Sequence, residues 1–179
     1  QEGVQRALVA DQELSPYDRL TAEAPPALVS EGPLITVLVA AYNAAGTLPT
    51  ALRSLEEQSW RNLEILVIDD ASPDEGATIR VVEDHAHRDP RIRLIRMPKN
   101  GGAYVARNRG LDEATGVYVT LHDADDWSHP AKIETQARHL EDNPDVIGCT
   151  TNQARATSDL TFTRASCSPR RSRTSKTRS

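Results

Sequence analysis

Between residues 34 and 147, apolar segments alternate with segments of helical periodicity, and this alternation constrains the fold more than any other feature. Four segments rich in apolar residues are typical of strands buried on both faces: Leu34–Ala40, Leu63–Ile68, Ile92–Ile95 and Gly116–Leu121. Val146 and Ile147 are expected to begin a fifth strand. The alternation predicts right-handed βαβ crossovers, and therefore an α/β fold with a mainly parallel, twisted sheet and helices on both faces.

Four helices are predicted between these strands. In the first, Leu48, Leu52 and Leu55 share one face, and Thr47 is the expected cap. The second and fourth carry apolar residues at similar spacing: Ile79, Val82 and Ala86 in the second, and Ile133, Ala137 and Leu140 after Pro130 in the fourth. The third follows Gly101 and Gly102, and small residues form the face that packs closely on the sheet: Ala103, Ala106, Gly110 and Ala114.

The two ends of the chain differ from this central region, which we place at residues 33–163. Residues 1–32 contain a short helical pattern broken by prolines, and we interpret them as an N-terminal extension and linker that lies across the domain. Residues 164–179 contain six of the 21 basic residues and no acidic residue, and they carry too little apolar surface to fold, which predicts a disordered tail. We hypothesise that a frameshift or a misplaced gene end produced the sequence from about Ala165; the alternative is a basic arm for anionic partners.

Composition excludes several classes of protein. The body of the chain is acidic, which argues against nucleic acid as the main partner, because phosphate backbones need a basic face. The two cysteines, Cys149 and Cys167, form no zinc-binding spacing and fit a reducing compartment. The sequence contains no run of 18 apolar residues and no signal-peptide pattern, so we expect a cytoplasmic protein without a transmembrane segment, with peripheral membrane contact left open.

Polar and acidic residues follow the predicted strands at the points where the strands end. In parallel α/β sheets, ligands bind at the carboxyl ends of the strands. The segments that follow the first, second and fourth strands are 41–43, 69–72 and 122–126, and each contains polar side chains. We therefore expect the ligand site at this edge of the sheet.

Three carboxylates lie within four residues after the fourth strand. Asp123, Asp125 and Asp126 repel one another unless a cation neutralises them, and hard oxygen ligands suit Mg²⁺ or Mn²⁺. The alternative is an ordinary acidic turn that precedes the next helix. A calcium-binding EF-hand loop fits poorly, because Trp127 and Ser128 stand where Asp or Asn and then Gly are needed.

Three other residues expected near the carboxyl ends of the strands each have one functional and one structural interpretation. Asp70 ends a buried strand and is suited to accept hydrogen bonds from a base or ribose, or else it belongs to a turn leading into Pro73. Tyr42 offers a flat face for a nucleobase, or packs over the strand end. Arg107 reaches a phosphate, or it is an ion-pair partner of the acidic edge.

The order of five motifs resembles one enzyme family. The motifs are Ile35–Asn43, Leu52–Ser59, Leu66–Ser72, Asn100–Asn108 and Asp123–Asp126. Together they are similar to the family 2 glycosyltransferases of the GT-A fold, and the similarity covers roughly residues 34–155. The chain resembles the nucleotide-sugar-binding part of that fold, and we expect it to be truncated.

The resemblance implies a nucleotide-diphosphate-sugar donor, with a UDP-sugar expected, and Mn²⁺ or Mg²⁺ as cofactor. It implies that Ala40 and Tyr42 border the base and that Asp70 bonds the base ring N–H. Asp123 and Asp125 would meet the ribose and the metal, and Asp126 is a ligand in variant members. The remaining residues of the expected donor site are Asn43, Asn100 and Arg107.

The reaction implied is inverting transfer of the sugar to a hydroxyl group of a glycan or other acceptor. The catalytic base of the family lies in a second half of the domain, and we assign no base in this chain. We therefore expect impaired or absent transfer by this chain. Two alternatives stay open: a non-catalytic nucleotide-binding remnant, and a dinucleotide-dependent α/β enzyme. The latter lacks its G-x-G-x-x-G motif, since only Gly46 is present after the first strand.

Overall fold

The computed structural model describes residues 7–9, 15–22, 26–151, 153–157 and 161–166. The elements follow one another in this order: β1 (Ala7–Val9), β2 (Leu20–Ala22), β3 (Ile35–Ala41), α1 (Leu48–Glu56), β4 (Leu63–Asp69), α2 (Ala77–Arg88), β5 (Ile92–Arg96), α3 (Ala103–Glu113), β6 (Tyr118–Asp123), α4 (Lys132–Asp142), β7 (Gln153–Ala156) and β8 (Phe162–Ser166). None of the described helices is long and apolar enough to cross a bilayer.

The central sheet contains four parallel strands in the order β5-β4-β3-β6, which confirms the predicted parallel α/β architecture. The chain runs outward from β3 through β4 to β5 and then returns to the opposite side of β3 as β6. The carboxyl ends of β3 and β6 therefore form a topological switch point, where open α/β sheets leave a crevice for ligands. Ala40 of β3 and Asp123 of β6 lie in register at this point.

Helices cover both faces of the sheet, as predicted, because successive side chains of its strands point to opposite faces. On one face, Val37 and Val39 of β3 pack in a large apolar cluster together with Leu52 of α1, Val82 of α2 and Ile133 of α4. On the other face, the second cluster joins α3 to the sheet and comprises Leu38, Leu66, Ile68, Ile95 and Ala106.

Small residues bring α3 close to the sheet, as the sequence predicts for part of its face. Ala106 is fully buried, and a Cβ atom on Gly110 would lie 2.8 Å from Cδ1 of Ile68. Ala103, by contrast, is exposed, and Ala114 lies beyond the helix as its C-terminal cap. The close-packing face therefore consists of the middle of α3 alone.

Two local predictions were wrong, and the prediction for Thr47 was confirmed in its position only. Thr47 occupies the N-cap position of α1 with helical backbone angles, so its side chain makes no capping hydrogen bond. Residues 146–150 form no strand; the amide of Val146 donates to the carbonyl of Asn143 within a turn at 2.9 Å, and Ile147 is 99% exposed. The short helix expected in the N-terminal extension, with Leu8 and Val9 on it, is not formed there, since both residues lie in β1, which pairs antiparallel with β2.

The extension and the tail are attached to different neighbours. Val29 exchanges backbone hydrogen bonds with Ser59 and Arg61, which ties the end of the extension to the loop after α1. At the other end, β8 pairs antiparallel with β7 and continues to Ser166. Residues 164–166 of the expected disordered tail are thus in a strand, whereas residues 167–179 lie outside the described residues.

Candidate functional site

The switch point carries the side chains that the sequence places at the end of β3. Tyr42 is 52% exposed and follows directly after the strand, with its ring accessible to a ligand. Asn43 adopts a left-handed backbone conformation with φ of 51°, which is uncommon for a residue other than glycine. Its amide N–H donates to Oγ of Ser72 at 2.9 Å. This bond ties the end of β3 to the segment that follows β4.

Ser72 links the two neighbouring strand ends. Its hydroxyl donates to Oδ1 of Asp69 at 2.5 Å, while its oxygen accepts from Asn43. Ala71, between Asp70 and Ser72, also has a left-handed conformation, with φ of 56°. Strained residues of this kind persist where the surrounding bonds hold them, and they are common at ligand sites.

Asp70 is 2% exposed, and both of its carboxylate oxygens accept backbone hydrogen bonds. The amide of Gly101 donates to Oδ1 at 2.9 Å, and the amide of Gly102 donates to Oδ2 at 2.7 Å. Gly102 has φ of 85°, a conformation that glycine adopts at no steric cost. Asp70 therefore fixes the loop between β5 and α3, and it places the exposed Asn100 beside the site.

The three aspartates lie in a tight turn at the end of β6. The amide of Asp126 donates to the carbonyl of Asp123 at 3.1 Å and closes the turn. Nη2 of Arg107 on α3 lies 2.5 Å from Oδ1 of Asp123, and the guanidinium also lies 5.6 Å from the ring centre of Tyr104. The carboxylate of Asp123 stays about half exposed in this ion pair. Arg107 thus meets the acidic edge in the way that the ion-pair interpretation predicts.

Electrostatic repulsion acts within the acidic turn. Partial burial, followed by the carboxylates of Asp123 and Asp125, raises the pKa of Asp126. Burial lowers the pKa of the Lys132 ammonium despite the opposing attraction of Asp126 and Asp123. Nζ of Lys132 donates to Oγ of Ser128 at 3.0 Å. Arg107 and Lys132 are therefore two cations that act on one cluster of negative charge.

His122 lies behind the acidic turn and keeps a neutral ring. Its Nδ1 lies 2.9 Å from the carbonyl oxygen of Asp123, an acceptor, so the proton is on Nδ1. Nε2 is buried and has no hydrogen-bond partner within the described structure. Burial, and then the charge of Lys132, lower the pKa of His122 to about 4. The ring therefore packs beneath Asp123 as an uncharged group.

The donor chemistry of the turn fits a hard divalent cation. Asp123 and Asp125 are exposed and present carboxylate oxygens, and Mg²⁺ is commonly held by one or two carboxylates with phosphate oxygens completing its coordination. Within the described ranges, no three His, Cys, Asp or Glu side chains are grouped so that they could hold a metal ion by themselves. A metal at this turn would consequently need ligand atoms from a second molecule, such as a diphosphate.

The structure connects most of the predicted site residues through specific contacts. Arg107 meets Asp123, Asp70 holds the loop after Asn100, and Ala40 lies in register with Asp123. Asn43 is joined through Ser72 to Asp69 at the end of β4, and no role was predicted for Ser72 itself. Ser72 is the last residue of the Leu66–Ser72 motif, so its position was a usable signal.

Two further residues at the acidic turn were also missed. Lys132 carries a partly buried charge in a helix whose pattern was interpreted for its apolar face alone. Tyr17 donates its hydroxyl to the carbonyl of Asp126 at 3.0 Å, although 109 positions separate the two residues. No sequence pattern connects residues at such a separation.

A family model described as "Glycosyl transferase family 2" matches residues 36–178. The match extends into the predicted tail, past residue 155, at which the resemblance was expected to end. Among curated relatives, the uncharacterized glycosyltransferase YibD of Escherichia coli (strain K12) is 40% identical over 116 residues, which is 64% of this chain and 33% of YibD. The putative glycosyltransferase EpsH of Bacillus subtilis (strain 168) is 34% identical, covering 66% of this chain and 34% of EpsH. The chain thus spans about a third of the length of these relatives.

Solved structures agree with the family match. S. aureus TarS 1-349 in complex with UDP-GlcNAc is 27% identical with a TM-score of 0.57, covering 62% of this chain and 32% of that one. The mannosyltransferase PcManGT from Pyrobaculum calidifontis, in complex with GDP-Man and Mn²⁺, is 29% identical with a TM-score of 0.57, covering 68% and 37%. With a parallel sheet of the same kind and a family match over most of its length, the chain belongs to glycosyltransferase family 2 and has the GT-A fold.

Proposed function

We propose that this region binds a nucleotide-diphosphate-sugar donor, with UDP as the expected nucleotide, together with Mn²⁺ or Mg²⁺. The observation that carries the proposal is the switch point between β3 and β6, where an exposed aromatic ring follows one strand and an exposed acidic turn follows the adjacent strand. The complexes of TarS with UDP-GlcNAc and of PcManGT with GDP-Man and Mn²⁺ support this assignment.

Individual residues have separate roles in the proposed complex. Tyr42, with Ala40 and Asn43 beside it, would border the base, because its ring is accessible at the strand end. Asp70 would act through the Gly101–Gly102 loop that it holds, since both oxygens already accept amide hydrogen bonds. A direct bond from Asp70 to the base stays a prediction. Asn100 would contribute from the same loop.

The acidic turn would receive the diphosphate end of the donor. Asp125 and Asp123 are the proposed ligands of the divalent ion, and participation of Asp126 stays a prediction. Arg107 would hold Asp123 in place and supply positive charge beside the phosphates. A divalent metal held there would stabilise the negative charge that develops on the leaving diphosphate.

The transfer itself is proposed to proceed with inversion. An acceptor hydroxyl oxygen forms a bond to the anomeric carbon while the bond from that carbon to the diphosphate breaks. A base must remove the hydroxyl proton, and we assign no described residue to this role. We therefore expect donor binding by this chain with little or no transfer, and we propose complete transfer only for a longer protein such as its relatives.

Calorimetric titration of the full chain with UDP tests the proposal. We expect binding that requires Mn²⁺ and disappears with EDTA. Asp125→Ala should weaken it by roughly tenfold or more, because interactions with a charged group are worth about 1.5–3 kcal/mol. Asp145→Ala is the matched control, since Asp145 is an exposed acid beyond α4, and it should bind UDP as the wild type does.

Other outcomes separate the alternatives. Binding of NAD that survives chelation would support the dinucleotide-dependent enzyme. Failure to bind UDP, GDP or NAD would exclude the glycosyltransferase, the nucleotide-binding remnant and the dinucleotide-dependent enzyme alike. Hydrolysis or transfer from a labelled UDP-sugar with Mn²⁺ would show that the chain is an active enzyme. For this chain we expect UDP to bind and the labelled UDP-sugar to be neither hydrolysed nor transferred.

A further inference from the structure

A segment that precedes the family match contacts the acidic turn. We call residues 15–22 the N-terminal strap; the family match begins only at residue 36. Within the strap, the hydroxyl of Tyr17 donates to the carbonyl oxygen of Asp126 at 3.0 Å. The amide of Asp126 donates to the carbonyl of Asp123. Both backbone polar groups of Asp126 are therefore bonded, one from within the turn and one from the strap.

The strap is held on helix α1 by two hydrogen bonds to Asp18. The hydroxyl of Thr50 donates to Oδ1 of Asp18 at 2.7 Å, and Nη2 of Arg53 donates to the carbonyl oxygen of Asp18 at 2.5 Å. Within the strap, the hydroxyl of Ser15 donates to Oδ2 of Asp18 at 2.6 Å and closes a turn over residues 15–18. Because Asp18 is held on α1, the backbone of the adjacent Tyr17 is also held in place beside the helix.

Helix α1 also supports the segment that follows the acidic turn. Oγ of Ser54 accepts a hydrogen bond from the amide of Ser128 at 3.2 Å. The side chain of Gln58 donates to the carbonyl of His129 at 3.0 Å. The strap and residues 128–129 are thus both hydrogen-bonded to α1 or to the residues directly after it. The bond from Tyr17 to Asp126 adds a second connection between the acidic turn and this helix, through the strap.

The environment of Tyr17 keeps it a hydrogen-bond donor. Burial, and then the nearby carboxylates of Asp125 and Asp126, raise the pKa of its phenol. This agrees with the geometry, which places the hydroxyl at the carbonyl of Asp126.

We propose that Tyr17 is a positioning residue of the divalent-metal and diphosphate site, and that it acts by bracing the 123–126 turn through the carbonyl of Asp126. The proposal rests on the proposed function, because it takes the turn to be the metal–diphosphate site. A segment outside the family match would then set how well Asp125 is oriented toward its ligand. Neither Tyr17 nor the strap needs to touch the donor.

Tyr17→Phe tests the brace, because it removes the hydroxyl and keeps the ring. We expect Mn²⁺-dependent UDP binding to weaken by roughly two- to tenfold, the range of one lost hydrogen bond. Thr50→Val, which removes one of the two hydrogen bonds that hold Asp18 on α1, should weaken binding in the same direction. Tyr118→Phe is the matched control, since it makes the same chemical change at the start of β6, far from the turn, and it should leave UDP affinity unchanged.

Hydrogen exchange of the peptide covering residues 123–129, measured without ligand, separates the brace from the function. Tyr17→Phe should accelerate exchange there, and Tyr118→Phe should not. Unchanged exchange, or accelerated exchange with unaltered Mn²⁺-dependent affinity, would overturn the positioning role. If the wild type itself binds no nucleotide with Mn²⁺, the proposed function fails and the positioning role fails with it, whereas the exchange data still decide whether Tyr17 braces the turn.

Discussion

At the scale of single residues, buried carboxylates in this protein are stable because nearby donors satisfy them. Asp70 accepts two amide hydrogen bonds and Asp69 accepts the hydroxyl of Ser72, although each residue is only 2% exposed. An unsatisfied charge at such a position would cost several kcal/mol by desolvation. These acids therefore shape the crevice through the backbone that they hold.

Glu134 on α4 is another carboxylate that accepts hydrogen bonds from two neighbouring side chains. The hydroxyl of Ser59 donates to Oε2 at 2.7 Å, and Nε of Arg138 donates to Oε1 at 2.8 Å. The Ser59 hydroxyl, and next the Arg138 guanidinium, lower the pKa of Glu134 below its ordinary value. The ionised form is thus favoured by folding, which links α4 to the loop after α1.

This link predicts a pH dependence of stability. A carboxyl group whose pKa is lower in the folded state stabilises the fold above its unfolded pKa, about 4.3. That contribution is lost as the pH falls through the lower folded pKa. Glu134→Gln should therefore reduce the free energy of unfolding near pH 7, by about 0.2–1 kcal/mol, with the difference vanishing in acid. Urea unfolding at several pH values measures it.

Glu141→Gln provides the control for this prediction, because Glu141 is exposed on the same helix. Its effect on the free energy of unfolding near pH 7 should be smaller than that of Glu134→Gln. A deficit of Glu134→Gln that grows as the pH falls would contradict the assignment.

At the scale of elements, residues 116–117, which directly precede β6, pack closely on the start of β3 and the residue before it. The amide of Gly116 donates to Oγ1 of Thr36 at 2.9 Å, and the amide of Val117 donates to the carbonyl of Leu34 at 2.8 Å. A Cβ atom on Gly116 would lie 2.6 Å from the backbone nitrogen of Thr36 and 2.9 Å from the carbonyl oxygen of Leu34. Backbone atoms of a buried strand cannot yield as a side chain can.

Gly116→Ala should consequently destabilise the protein by about 1–3 kcal/mol, the usual cost of overpacking. Urea or thermal unfolding measures the loss. Gly46→Ala is the matched control, because nothing lies within 4 Å of a Cβ atom there. It should be neutral or stabilise by up to about 1 kcal/mol through the unfolded state. Equal effects of the two variants would show that the close approach at Gly116 does not matter.

The elements also show how far the sequence could be interpreted. The strands of the central sheet and their helices followed from periodicity, because burial on the sheet requires a definite apolar pattern. The pattern at Val146 and Ile147 was too short to decide between a strand and a turn. At the site, Asp123 and Arg107 were found because their motifs lie at strand and helix ends. Tyr17 was not, since its contact depends on tertiary packing alone.

At the scale of the whole molecule, an apolar surface lies open beside β6. Within the described structure, β6 has a strand neighbour on one side only. Val119 and Leu121 lie on the same face of β6, Val117 directly precedes the strand at the same spacing, and all three are exposed. Unpaired strand edges with apolar side chains favour association with other chains.

We expect this chain to self-associate in solution, and Val119→Lys should reduce the association because it places a charge on the open face. Sedimentation equilibrium over a range of protein concentrations measures the effect. Leu28→Lys is the control, since Leu28 is 67% exposed in the segment before β3. A wild type that is monomeric at all concentrations, or equal effects of both variants, would contradict the expectation.

The register of β3 with β6 also has a consequence for the order of folding. Ala40 and Asp123 are paired although they are about 80 residues apart in sequence. Contacts between such distant residues form slowly, because a long loop must be closed before they contribute any free energy. The crevice is therefore expected to be completed late, after β3, β4 and β5 have paired in sequence. A ligand bound there would act mainly by slowing unfolding and would do little to speed folding.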